Sequence, residues 1–181
     1  IFMSNDIMRP IIAQEKSAFN FREIMDSKKI FLVNLSKGRL GDINANLLGL
    51  IIVGKFSQAA LSRVDQPDVS KRPDFYLYID EFQNITTPAI ASILSEARKY
   101  RLSLNIAHQY ISQLSEEIKG AVFGNVGSMA VFRISADDAK YLESKFAPTF
   151  TANHIMKIDN RHASISMLAG GSPKKPFDID V

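Results

Sequence analysis

The sequence predicts an α/β fold built on a mainly parallel sheet with helices on both faces. Short apolar runs, IFLVNL (30–35), FYLYI (75–79), LSLNIAH (102–108), GSMAVFRI (127–134) and HASISML (162–168), are separated by stretches with helical patterning. That alternation is the order of strands joined by helical crossovers. The composition agrees: 181 residues with 46% hydrophobic and 23% charged side chains can bury a core in a single ordinary domain and exclude a disordered chain.

The first elements come in the order helix, strand, turn. Phe21–Lys29 reads as a short helix and 30–35 as a strand, and SKGRLGD is a turn broken by Gly38 and Gly41. The segment from Asn44 to Val64 has no proline and reads as a buried helix. Its apolar run LLGLIIVG (47–54) has eight residues, too few to cross a bilayer, which takes about 20. Residues 65–74 are polar and proline-bearing, a surface loop.

After the strand 75–79 a helix is expected over about 87–100, because Ile90, Ile93, Leu94 and Ala97 recur at the spacing of one buried face. A strand at 102–108 and a helical region ending near Gly120 to Gly124 follow. Beyond the strand at 127–134, Ser135 is placed to cap a helix that turns Ala139, Leu142 and Phe146 inward. The strand at 162–168 leads into a Gly/Pro/Lys tail, 169–181.

Charge and residue usage narrow the chemistry. A net charge of +3 is compatible with nucleic acid but too small to argue for it. No cysteine is present, which excludes disulfides and thiolate metal sites, and His108, His154 and His162 lack metal-ligand spacing. No signal-peptide pattern is read. The opening IFMSNDIMRPII has the character of chain interior, so further residues are expected upstream of Ile1.

The feature that asks for a chemical reading is FYLYIDEFQN (75–84), an apolar strand that ends in two adjacent carboxylates, Asp80 and Glu81. Ligand sites of α/β sheets lie at the carboxyl ends of their strands. One carboxylate there can hold Mg²⁺ through its water shell, while its neighbour polarises a water in line with a phosphoryl group. This is the Walker B pattern of nucleotide hydrolases; by itself it is also how many buried strands finish.

Such a site needs a phosphate-binding loop. GLIIVGKF (49–56) fits G-x-x-x-x-G-K, but Phe56 stands where Ser or Thr would hold the metal. Leu, Ile, Ile and Val fill the intervening positions, with helical pattern on both sides. A phosphate loop lies between a strand and a helix with its N–H groups free. The match is therefore read as helix, and the true loop is expected upstream of Ile1.

The longer run DEFQNITTPAIASILSEARKYRLSLNIAHQYISQL (80–114) resembles the DNA-pumping ATPases of the HerA/FtsK superfamily, and among them the coupling-protein ATPases of conjugative type IV secretion. DEFQN, SEARKYRL, a strand ending in AHQ, and ISQL follow one another at the family's order and spacing. FGNVGSMAVFRIS, DDAKYLESKF and REIMDSKKIFLVNLSKGRLG extend the likeness over nearly the whole chain. The resemblance implies that residues 1–181 are the carboxyl-terminal part of a RecA-like P-loop NTPase core that assembles as a ring of six, with ATP at each subunit boundary.

Carried over, Asp80 is the Mg²⁺-associated acid, Glu81 the catalytic base, Gln109 a polar sensor of the γ-phosphate, and Arg98 an arginine that reaches into a neighbour's site. A guanidinium suits that last role because it stays charged and forks around phosphate oxygens. ATP, Mg²⁺ and DNA are the implied ligands, with secretion-channel proteins as further partners. The implied location is cytoplasmic, at the inner membrane face through regions outside these residues. Without its phosphate loop the 181-residue chain is not expected to hydrolyse ATP by itself.

Plainer readings stand beside these. Arg98, Lys99 and Arg101 also suit a solvated basic helix end. Gln109 also suits a cap of the following helix, and Lys37 with Arg39 a charged turn. A degenerate relative that keeps fold and ring contacts without catalysis would share most of the motifs, and an unrelated α/β domain with chance acids would share the strand.

Overall fold

Phe75–Ile79 (β1) and Leu102–Ile106 (β2) pair in parallel, in register from Phe75 opposite Leu102 to Ile79 opposite Ile106. The computed structural model that shows this pairing describes residues 6–181, and at Pro88, Ala89 and Ser92 only the backbone. The opening residues 1–5, read above as chain interior, lie outside the described residues. The chain divides into two compact units at His108 and Gln109.

The first unit holds α1 (Arg9–Ile12), α2 (Phe21–Asp26), α3 (Lys37–Leu40), α4 (Asp42–Leu61), β1, α5 (Pro88–Glu96) and β2. Asn20 sets the start of α2: its side chain accepts hydrogen bonds from the N–H groups of Arg22 and Glu23. In β1, Ile79 is buried while Tyr76 and Tyr78 are exposed, the two-residue period of a strand covered on one face.

The cover is α4. Ala45, Leu48, Gly49, Val53, Phe56, Ala59 and Ala60 form its buried stripe. Phe56 stacks on Phe75 with centroids 5.1 Å apart and meets Phe21 edge-on at 4.9 Å, so one ring ties α2, α4 and β1 together. With the following turn to Asp65, this helix has 24 residues and its most apolar 18-residue stretch has a mean hydropathy of 1.4, long and apolar enough to cross a membrane by length and composition. Its buried stripe is the pattern of a helix lying on a core.

Residues 30–35 do not form the expected strand: the chain there is not paired, and Ile30 and Leu32 are exposed. Strand propensity becomes a strand only when backbone partners are supplied. Here Phe31 packs on Phe56 at 5.8 Å, and a groove lined by this segment, α4 and β1 takes the place of a ladder.

The segment 62–74 is more structured than a surface loop. Turns of 3₁₀ helix at Ser62–Asp65 and Val69–Lys71 bury Arg63 completely and Arg72 nearly so. Arg63 Nε donates to Asp26 Oδ1 at 2.9 Å, and Nη1 donates to the carbonyls of Pro73 at 3.0 Å and Tyr100 at 2.7 Å. Asp26 also accepts from Arg22. Burial pulls the Arg63 guanidinium below its usual pKa, while its bond to Asp26 opposes that shift. Arg63→Met would leave two part-buried carbonyls without this donor and Asp26 without its buried partner, and is expected to cost about 3 kcal/mol of stability, read by denaturant unfolding.

The second unit contains α6 (Glu116–Asn125), β3 (Met129–Val131), α7 (Ala136–Phe146), α8 (Ala152–Met156), β4 (His162–Ser166), β5 (Leu168–Ala169), β6 (Ser172–Pro173) and β7 (Phe177–Asp180). Ser135 caps α7 as expected, its Oγ accepting from the Asp138 N–H at 3.3 Å, and Asp138, Ala139, Leu142 and Phe146 are buried.

The expectation of one mainly parallel sheet, with the strands near 30–35, 102–108 and 128–134 beside 75–79, is corrected. Only β2 joins β1. β3 pairs with β4 antiparallel, and so do β4 with β7 and β5 with β6. The tail supplies the reason: Phe177–Asp180 returns along β4, so β4 is paired on both edges within its own sheet. His154 and His162 fix this return, their Nε2 atoms lying 3.1 Å from Asp178 Oδ2 and 3.0 Å from Asp180 Oδ1, which accounts for both histidines without a metal.

Candidate active site

Asp80 and Glu81 follow β1 at its carboxyl end, and the backbone there departs from the ladder. The Ala107 N–H donates to Ile79 O at 2.9 Å; in a regular parallel ladder the Ala107 carbonyl would next accept from Glu81. It accepts from Phe82 instead, at 2.9 Å. One extra residue is thus looped out of the strand as a bulge.

Glu81 takes the bend in a left-handed conformation, φ 49° and ψ 44°, at a cost on the order of 1–2 kcal/mol for a residue with a Cβ. Its displaced N–H is satisfied by Asp80 Oδ1 at 2.9 Å. Phe82, completely buried, anchors the far side of the bend. The bulge therefore turns two consecutive carboxylates out of the sheet between two fixed apolar residues, Ile79 and Phe82, an arrangement that recurs beside active sites.

The two acids differ in their surroundings. Asp80 is exposed, with only Oδ1 engaged among the described residues. Glu81 is half-buried, and its Oε2 accepts from Gln83 Nε2 at 2.6 Å. The other amide atom of Gln83, Oε1, is buried without a hydrogen-bond donor among the described residues. Gln83 belongs to the DEFQN run, but nothing in its spacing signals that it reaches back to Glu81.

Arg98 lies elsewhere. It is exposed on the 3₁₀ turn Ala97–Tyr100, which enters β2 through Arg101, and the Arg101 carbonyl accepts from Phe75 N at 2.9 Å. That turn sits at the amino end of the parallel pair and Asp80 at the carboxyl end, so at about 3.3 Å per residue some 15 Å separates them. Arg98 is thus not brought together with Asp80 and Glu81 in its own chain. Among the described residues it makes no ion pair, whereas Arg101 Nη1 lies 3.3 Å from Asp74 Oδ1.

Gln109 is exposed, three residues past the end of β2, and opens the second unit. Lys37 and Arg39 stand exposed on α3, where Lys37 Nζ is 3.7 Å from Asp42 Oδ1. The false phosphate loop, 49–56, is helix throughout. A Cβ on Gly49 would come within 2.8 Å of Ile85 Cδ1, so that glycine serves the close approach of the Phe82–Ile85 turn.

Residues 74–160 match the family described as the TraM recognition site of TraD and TraG. The match opens one residue before β1 and includes Asp80, Glu81, Arg98 and Gln109. Plasmid coupling protein TrwB, in complex with the non-hydrolysable GTP analogue GDPNP, superposes with a TM-score of 0.57 over 80% of this chain and 37% of that one at 16% identity. The chain is thus similar over 74–160 to the TraD and TraG family and in fold to the coupling protein TrwB, in line with the resemblance read from the sequence.

TrwB in complex with ADP and Mg²⁺ gives the same TM-score of 0.57 at 16% identity, over 79% of this chain and 36% of that one. The genome packaging NTPase B204 from Sulfolobus turreted icosahedral virus 2, in complex with ATP-gammaS, gives 0.56 at 18% identity over 88% of this chain and 71% of that one. At such identities the likeness shows the fold, and the α/β fold of the chain is that of these NTPases. The chain spans 37% of the length of TrwB in its GDPNP complex. No curated protein sequence matches it.

Proposed function

We propose that residues 1–181 are the carboxyl-terminal part of the motor domain of an ATP-driven DNA-translocating coupling ATPase of the conjugative type, with a phosphate loop supplied from outside them. The observation that carries the reading is the bulge at the end of β1, which turns Asp80 and Glu81 out together at the ligand-binding end of a parallel pair. The match over 74–160 and the nucleotide complexes of the similar NTPases support it.

The residues fit Mg²⁺. No group of three or more His, Cys, Asp or Glu among the described residues could cage a metal ion. Mg²⁺ does not ask for a cage: it keeps several waters and takes one or two carboxylates plus the substrate's phosphates. Asp80, exposed and with its second oxygen unengaged among the described residues, would hold it in that way. The ion would screen the charge of the phosphates.

The division of labour follows from the surroundings of the acids. Asp80, open to solvent, would face the water shell of the metal. Glu81, half-buried and steadied by Gln83, accepts the proton of the attacking water as its oxygen bonds to the γ-phosphorus and the ADP oxygen leaves. Arg98, about 15 Å from its own chain's acids, serves the site of a neighbouring subunit in a ring of six. Gln109 keeps the role that the resemblance implies, a polar sensor of the γ-phosphate. DNA is the translocated polymer, and the inner membrane face is the working location.

Asp80→Asn tests the assignment. Asparagine keeps the oxygen that accepts from the Glu81 N–H, so the bulge should stand, but it removes the charge that holds the metal. The intact protein should lose Mg²⁺-dependent ATP turnover at least a hundredfold at ordinary Mg²⁺, with partial recovery as Mg²⁺ is raised. Unchanged turnover would remove Asp80 from the metal site.

The description of the matched family as a TraM recognition site of TraD and TraG favours a second reading. In it, the segment 74–160 also docks an accessory protein, and a relative without hydrolysis would keep that role.

A further inference from the structure

The turn that carries Arg98 is held by two buried arginines. A helix leaves the carbonyls of its last turn without internal donors, and between Ala97 and Arg101 each of them is taken. The Arg101 N–H donates to the carbonyls of Ala97 and Arg98. Arg72 Nη1 donates to Lys99 O at 2.8 Å, Arg63 Nη1 to Tyr100 O at 2.7 Å, and the Phe75 N–H to Arg101 O at 2.9 Å.

Both guanidinium groups are fixed from behind. Arg63 is clamped by Asp26, and Arg72 gives Nε and Nη2 to Gln66 O while its Cζ lies 5.5 Å from the centroid of the Tyr100 ring. Burying arginine charge is costly. What the guanidinium pair adds is a fixed direction for a short 3₁₀ segment of poor intrinsic geometry. Arg98 needs that direction, because its exposed side chain has no partner among the described residues to aim it.

We infer that Arg63 and Arg72 are positioning residues, setting through the carbonyls of Tyr100 and Lys99 the direction in which Arg98 projects toward a neighbouring subunit. The inference rests on the role proposed above for Arg98. A group that acts across a subunit boundary must be held closely, since a displacement of about 1 Å costs about a hundredfold in rate.

Arg72→Lys, in the intact protein, keeps charge and stem but cannot span Gln66 O and Lys99 O together. It should lower ATP turnover about ten- to a hundredfold with KM and assembly unchanged. The double variant with Arg98→Ala should be no slower than Arg98→Ala alone, because once Arg98 is gone its direction no longer matters. A merely structural role would instead make the two losses multiply.

Multiplying losses, or full activity of Arg72→Lys, would overturn the positioning role and leave that of Arg98 standing. Full activity of Arg98→Ala would overturn both. Arg63→Lys puts the same question at the other donor should Arg72→Lys not accumulate. Hydrogen exchange in the parent protein needs no variant: the Arg101 amide should exchange slowly, and fast exchange would overturn the rigid turn.

Discussion

Glu81→Gln in the intact protein is expected to leave nucleotide binding in place and to abolish turnover. Glutamine keeps the shape of the side chain and can still bond Gln83, so the half-buried bend of the bulge survives. It cannot accept a proton, and the loss of a positioned general base costs about 10²–10⁴-fold. Measured ATP affinity should stay within a few-fold while hydrolysis in a single-turnover assay disappears. Equal loss of affinity and rate would assign Glu81 to binding instead.

Arg98→Ala is expected to cut ATPase activity by on the order of 10³ or more, as loss of an arginine supplied in trans does. The distance across the parallel pair makes the expectation specific. Even fully extended, an arginine side chain spans only about half of the roughly 15 Å between the amino end of β2 and the carboxyl end of β1, so Arg98 does not reach its own chain's acids. Folding should hardly change, because an exposed arginine contributes little to stability. Thermal unfolding of the variant beside the parent separates the two effects.

What the sequence makes legible follows from which signals are local. The apolar run 75–79 before two acids fixes both the strand and the place of Asp80 and Glu81, because burial of one face and a polar end are written in consecutive residues. The helix over 49–56 is legible for the same reason, and so is the Ser135 cap.

Partnership between strands is not local. The run 30–35 has strand composition but finds no ladder, and 127–134 yields a three-residue strand whose antiparallel direction depends on β4 and the returning tail. The bulge is likewise invisible in the spacing of Asp80 and Glu81, since it exists only relative to Ala107 on the other strand. Arg63 stands at the end of the helix read over 44–64 and Arg72 in the polar, proline-bearing stretch after it, and no local pattern at either place signals a buried guanidinium; their burial depends on carbonyls some 27 to 37 residues further along the chain.

The resemblance supplied what local pattern did not. It gave Arg98 a role that periodicity alone reads as the basic end of a helix, and the separation of Arg98 from Asp80 is what such a role requires.

Mixed oligomers test the central claim most directly. Intact subunits carrying Arg98→Ala and intact subunits carrying Glu81→Gln, each inactive alone, are combined and their ATPase activity is measured. At a boundary where an Arg98→Ala subunit contributes Asp80 and Glu81 and its neighbour contributes Arg98, a complete site forms, so activity should return in part and peak near equal proportions. No recovery at any proportion, with both variants assembling normally, would contradict the account.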